Sequence, residues 1–166
     1  EDMSVFDYVF CWLGNTNLIM SIIKLLEDKM NIEHDIKEAG VQMILLVEDN
    51  IRFYSSVLPN LYNYILAQSK RFSTEALNPH AAAQRKRGRP KVVLATNYEE
   101  AMEIYEKYHE NTLGVISDTR FPMHIVPGRL SHVEEGDPEA GLKLLREIRR
   151  RDDYVPLILD SKETLN

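Results

Sequence analysis

The sequence predicts an α/β domain built on a doubly wound, parallel sheet. Two observations carry that expectation. From residue 42 onward, strand-like and helix-like patterns alternate as β-α-β-α-β-α-β, which calls for a parallel sheet with helices on both faces. Three apolar runs also stop at acids or a hydroxyl. Leu113-Gly114-Val115-Ile116-Ser117 ends at Asp118, Met43-Ile44-Leu45-Leu46-Val47 at Glu48 and Asp49, and Val155-Pro156-Leu157-Ile158-Leu159 at Asp160 and Ser161. Such runs suit strands buried on both faces. In open α/β sheets ligands collect at the C-terminal strand edge, so one site built from three strand tips is expected.

Residues 5–12 are mostly aromatic and β-branched and are read as a strand. Gly14-Asn15-Thr16-Asn17 is a turn that can cap a helix. From Leu18 the apolar residues fall at Leu18, Ile22 and Leu25 and at Ile19, Ile22, Ile23, Leu26 and Met30, one wide helical stripe. Polar residues through Gly40 form a connector, for part of which a helix is also open. After the strand at 42–47, Asn50 can cap a helix carrying Phe53, Val57, Leu61, Tyr62 and Ile65. Pro59 should kink or break that helix. Residues 67–91 lose periodicity and turn basic, as a surface insertion would. Residues 92–95 form a short strand. Thr96 and Asn97 are capping residues with Glu99 and Glu100 three positions on. Ala101, Ile104, Tyr105 and Tyr108 make the next helical stripe. Pro122, Pro127, Gly128 and Gly136 break the segment after Asp118 into a loop. Asp137-Pro138 reads as a cap followed by proline at the first helical position. Leu142, Leu145 and Ile148 then face inward.

The composition narrows the function classes. The 166 residues are 44% apolar and 28% charged, ordinary for a globular protein with one core. A net charge of −6 argues against general nucleic-acid binding. Cys11 is the only cysteine, so no internal disulfide forms and a reducing, cytoplasmic setting fits. No apolar run approaches the roughly 18 residues of a membrane span, and no signal-peptide pattern opens the chain. The chain starts at Glu1 without Met, and a fragment of a longer protein is expected.

Across roughly 42–161 these residues resemble a response-regulator receiver domain, the CheY-like, flavodoxin-like fold. Val47-Glu48-Asp49-Asn50 resembles the first strand and its acid pair. Asp118 matches the phosphoacceptor, Pro122 the proline of the following loop, and Ser161 the switch hydroxyl. More narrowly, 47–56 and 137–141 resemble the tandem-receiver segment of bacterial proteins that continue into a phosphoenolpyruvate-synthase-like nucleotide-binding region. The resemblance implies a two-component signalling domain, not an enzyme in its own right, that accepts a phosphoryl group on Asp118. It implies Mg2+ held by Glu48, Asp49, Asp118 and the backbone carbonyl of Arg120, no organic cofactor, and a histidine kinase or other phosphodonor as partner beside neighbouring domains. Phosphoryl transfer to a carboxylate needs such a nucleophile with cations over the phosphoryl oxygens.

Rival readings stand beside each residue. Glu48 and Asp49 also suit a helix N-terminus, and Asp118 and Ser161 also suit turns. A haloacid-dehalogenase-type phosphatase would need an acid where Arg120 stands. A pseudo-receiver, a protein-interaction module that is never phosphorylated, is the main alternative. Arg85-Lys86-Arg87-Gly88-Arg89-Pro90-Lys91 resembles an AT-hook, so a DNA-tethering module is a distant third; a solvated loop is the favoured reading of that run. His124 and His132 lack paired ligand spacing and are read as surface residues. The tyrosines on or beside helical stripes are expected to pack.

The family's fifth strand, its lysine and its last helix do not follow Ser161. The N-terminal stretch is expected to supply strand and helix, as in a circular permutant. Strand 5–12 should then lie parallel to 155–159, with Tyr8 at the aromatic switch position and Cys11 in place of the lysine. The rival is that 1–31 belongs to a neighbour or mediates a dimer.

Overall fold

The computed structural model describes residues 6–74, 79, 87–124 and 136–161. The elements are α1 (Asn17–Ala39), β1 (Met43–Val47), α2 (Ile51–Thr74), β2 (Lys91–Ala95), α3 (Tyr98–Tyr108), a 3-10 turn (His109–Asn111), β3 (Thr112–Asp118), α4 (Ala140–Arg151) and β4 (Leu157–Asp160). The four strands form one all-parallel sheet in the order β2-β1-β3-β4. Alternate residues of β1 and β2 feed opposite cores, and Val115 of β3 joins the first. Met43, Leu45, Val47, Val93, Ala95 and Val115 pack under α3 and α4. Leu46, Val92 and Leu94 pack under α2 with Tyr54, Leu58 and Tyr62. Among the described residues, no helix is long and apolar enough to cross a membrane.

The expected fifth strand is not seen among the described residues. Residues 6–13 carry no strand and make no ladder with β4. Their polar backbone is engaged elsewhere: the Tyr54 hydroxyl donates to the Val9 carbonyl, and the Cys11 N–H donates to Ser55 Oγ at 3.0 Å. Phe10 meets Tyr54 edge to face, with ring centroids 5.7 Å apart. The aromatic residues that suggested a strand thus serve to dock an irregular segment on α2.

Helix α1 is longer than the expected 17–30. It runs through the expected connector to Ala39, where Gly40 at φ 62° closes it and donates its N–H to the Asp35 and Ile36 carbonyls. The single wide stripe resolves into two. Leu18, Ser21, Leu25, Asp28 and Ile32 are buried, while Ile19, Ile23, Leu26 and Met30 are exposed. The helix packs on α2 and β2, at the sheet edge remote from β4. Leu25 belongs to the core under α2 and Ile32 to the opposite core, so α1 crosses the β2 edge obliquely.

Asp28 sits at that crossing. Its Oδ2 accepts the Val92 N–H of the edge strand and the Tyr62 hydroxyl, both at 2.8 Å. Arg89 grips both carboxylate oxygens at 2.7 and 3.1 Å, and Lys91 Nζ lies 3.7 Å away. A buried carboxylate is tolerated when it is paired and hydrogen-bonded in this way. An edge strand otherwise presents unpaired backbone groups. Arg89, within the hook-like run, is therefore held against Asp28.

Two smaller expectations are also corrected. Helix α2 does not break at the buried Pro59: Leu58 and Tyr62 on either side are fully buried and anchor both halves. It extends to Thr74, so the expected insertion begins as helix. Most of the remaining stretch up to 86 lies outside the described residues. The tyrosines divide: Tyr62 and Tyr105 pack as expected, and Tyr64 is exposed.

Asp28→Ala leaves the Arg89 guanidinium without its carboxylate and should lower unfolding free energy by about 3–5 kcal/mol, read by urea denaturation. A pH effect follows from Asp35, whose pKa the Lys91 hydrogen bond at 2.6 Å lowers below the usual carboxylate value. A lowered folded-state pKa contributes stability above the unfolded-state value and loses it as pH falls through the folded-state value. The urea midpoints of the wild type and Asp35→Asn should therefore converge as pH falls through that range.

Candidate metal centre

The register between β1 and β3 builds the site. Val47 lies opposite Ser117, so the next residues, Glu48 and Asp118, emerge side by side at the C-terminal edge. The Glu48 N–H bonds the Ala95 carbonyl at 3.0 Å, carrying the ladder one residue past the strand. Glu48, Asp49 and Asp118 are all buried, and their nearest ligand oxygens lie within 4.8 Å of one another. Glu48 Oε1 accepts the Asn50 N–H at 2.9 Å. Asn50 in turn caps α2, its Oδ1 accepting the N–H groups of Arg52 and Phe53 at 3.1 and 3.2 Å. The acid pair thus stands at the positive end of a helix.

Asp118 Oδ1 accepts the Thr119 N–H at 2.7 Å and the Thr119 hydroxyl at 3.4 Å. The chain after Asp118 is held on two sides. The Gly141 N–H donates to the Thr119 carbonyl at 3.0 Å, which seats the first turn of α4 against the site. A Cβ at Gly141 would lie 2.0 Å from the Asp118 carbonyl oxygen, so only glycine fits there. On the other side, the carbonyls of Pro122 and Met123 accept the first N–H groups of α3, from Tyr98 and Glu99, at 2.9 and 3.1 Å. These are donors that a helix start leaves without an internal partner. Asn97 completes that cap as expected, accepting the Glu100 N–H at 2.8 Å. Phe121, fully buried, bridges to Asp137 and closes the base of the intervening loop. Asp137 caps a turn through the Glu139 N–H at 2.8 Å, and α4 starts at Ala140, two residues later than Pro138 suggested.

The remaining candidates take different places. Ser161 directly follows Asp160, the register partner of Asp118, and is half-buried at the same sheet edge. Arg120 is half-buried in the loop beside Gly136. Tyr8 lies in the irregular N-terminal segment, with Lys29 Nζ 4.9 Å from its ring centroid. Burial pushes its hydroxyl pKa up to about 12. Cys11 rests on Ser55 and does not stand in a strand beside β4. His124 is exposed and pairs with Glu99 at 3.3 Å; His132 lies outside the described residues. The positioning roles of Thr119 and Gly141 were not foreseen. Gly141, the second residue of α4, was the visible signal, because glycine inside a helix is unfavourable without a packing reason.

Fold and site together define a flavodoxin-like parallel α/β domain with a buried acidic cluster that could hold a metal ion. Comparison with protein-family models, curated proteins and solved structures found no match. The donor set fits a cation: three carboxylates offer hard oxygen ligands, which suit hard divalent ions rather than soft ones.

Gly141→Ala should cost about 1–3 kcal/mol through overpacking against the Asp118 carbonyl. It should also weaken divalent-ion binding, because the clash moves the backbone that carries one of the three carboxylates. Thermal denaturation with and without added cation measures both effects.

Proposed function

We propose that this chain is a receiver-like signalling domain in which Asp118 accepts a phosphoryl group. The observation that carries the reading is the convergence of Glu48, Asp49 and Asp118, buried, at adjacent tips of a parallel sheet. Glu48, Asp49 and Asp118 would hold Mg2+, with the Arg120 backbone carbonyl as a further ligand. The bound cation would offset charge on the transferring phosphoryl oxygens. Asp118 supplies the attacking carboxylate oxygen. The Thr119 N–H fixes the rotamer of that carboxylate through Oδ1. Ser161, at the end of the strand paired with β3, would donate its hydroxyl to the phosphoryl group and serve as the switch. A histidine kinase or a small phosphodonor would supply the group.

The test is incubation with a small phosphodonor and Mg2+, followed by intact mass measurement. An acid-stable, base-labile added phosphoryl is expected on the wild type and should be absent in Asp118→Asn. Asp49→Ala should weaken Mg2+ binding by at least about tenfold, since one of three charged ligands is lost. Uptake that survives Asp118→Asn would overturn the assignment. Cation binding without uptake would favour the pseudo-receiver, an interaction module built on the same acids.

A further inference from the structure

Helix α1 has a second apolar stripe that its own domain does not use. Ile19, Ile23, Leu26 and Met30 are 55, 54, 39 and 81% exposed. They are spaced 4-3-4, the alternation of a helix–helix seam. A helix laid on a globular domain needs one apolar stripe, and α1 already buries one through Leu18, Leu25 and Ile32. We propose that the outer stripe is the contact of a symmetric homodimer, in which α1 packs antiparallel on α1 of a second copy.

Three considerations select a second copy. A stripe of this spacing is self-complementary, because knobs and holes recur at the same interval on both helices. A two-fold axis between Ile23 and Leu26 sets Ile23 against Leu26 and Ile19 against Met30 of the other copy, the self-matching contact that closes a dimer. The area also fits. The four side chains expose roughly 400 Å², the size of the largest apolar patch on a typical monomer, which is often functional. With the flanking Met20, Ile22, Glu27 and Lys29, each side approaches about 600–800 Å², the scale of a specific interface. Charge favours the antiparallel sense. It places Lys29 near Ile22 and Glu27 near Met20 of the second copy, so no like charges meet. It also opposes the two helix dipoles, which a parallel pair would align.

The test is sedimentation of this chain from low to high micromolar concentration. A monomer–dimer equilibrium is expected. Ile23→Glu and Met30→Glu should each weaken it by about 30-fold or more, the effect of a central contact residue. Both side chains are mostly exposed, so far-UV circular dichroism should stay unchanged, as should melting at concentrations where the wild type is monomeric. Tyr64→Glu, at a residue 65% exposed on α2, should leave the equilibrium alone. Orientation is read by cross-linking in a Cys11→Ser background. Ile19→Cys mixed with Met30→Cys should form a disulfide between the two variants, and neither should pair with itself. A monomer throughout, a dimer indifferent to both glutamates, or Ile19→Cys pairing with itself would each overturn the proposal.

Discussion

The register of β1 against β3 is the constraint on which the site depends. A slip of one residue would turn the inward side chains of a strand to its other face. Here it would also separate Glu48 from Asp118. The pairing is held because β1 is central: Leu45 and Val47 must meet Val93, Ala95 and Val115 in one core, while Leu46 meets Leu94 in the other. Burial on both faces thus determines where the carboxylates emerge. The chemistry at the tips is a consequence of hydrophobic alternation several residues away.

The same sheet has two edges, and they are treated differently. At β2, α1 lies across the edge and Asp28 accepts a backbone N–H from the strand. The carboxylate replaces the missing neighbour strand, and Arg89 and Lys91 offset its charge. At β4, Ile158 is exposed and no further strand pairs among the described residues. The N-terminal segment, with apolar residues enough for a fifth strand, goes to α2 instead. There Tyr8 and Phe10 pack against the core under α2, and the segment gains two hydrogen bonds to Tyr54 and Ser55.

What could be read in the sequence follows from range. The strands β1 to β3, the caps at Asn50 and Asn97 and the three acids at strand tips all announce themselves within a few residues, through alternation or side-chain-to-backbone bonds. Asp28 does not. It falls on the buried stripe of α1 between Leu25 and Ile32, and only partners 34 and 61 positions away, Tyr62 and Arg89, make it a core residue. The destination of residues 6–13 was hidden for the same reason. Aromatic and β-branched residues suit a strand, but they suit a docked irregular segment equally when a helix offers a tyrosine to stack on. The full length of α1 was only partly legible because residues 33–39 are mostly polar, and Ile36 and Ala39 alone are too few to carry a periodic signal.

Three carboxylates within 4.8 Å set the electrostatics of the strand tips. At the effective dielectric of about 20 that suits protein sites, two unit charges at that separation repel by roughly 3–4 kcal/mol. The chain answers with dipoles: the Asn50 N–H on Glu48, the Thr119 N–H on Asp118, and the N-terminal end of α2 behind both acids of the pair. Dipoles relieve part of that repulsion and a cation relieves more, so a divalent ion gains from a cluster the fold has already assembled. An ion that binds the folded cluster and not the dispersed acids of the unfolded chain stabilises the fold by the same coupling. A phosphoryl group on Asp118 would add negative charge to this cluster. Under the proposed phosphorylation, the groups in contact with Asp118, Thr119 among them, would have to rearrange around it.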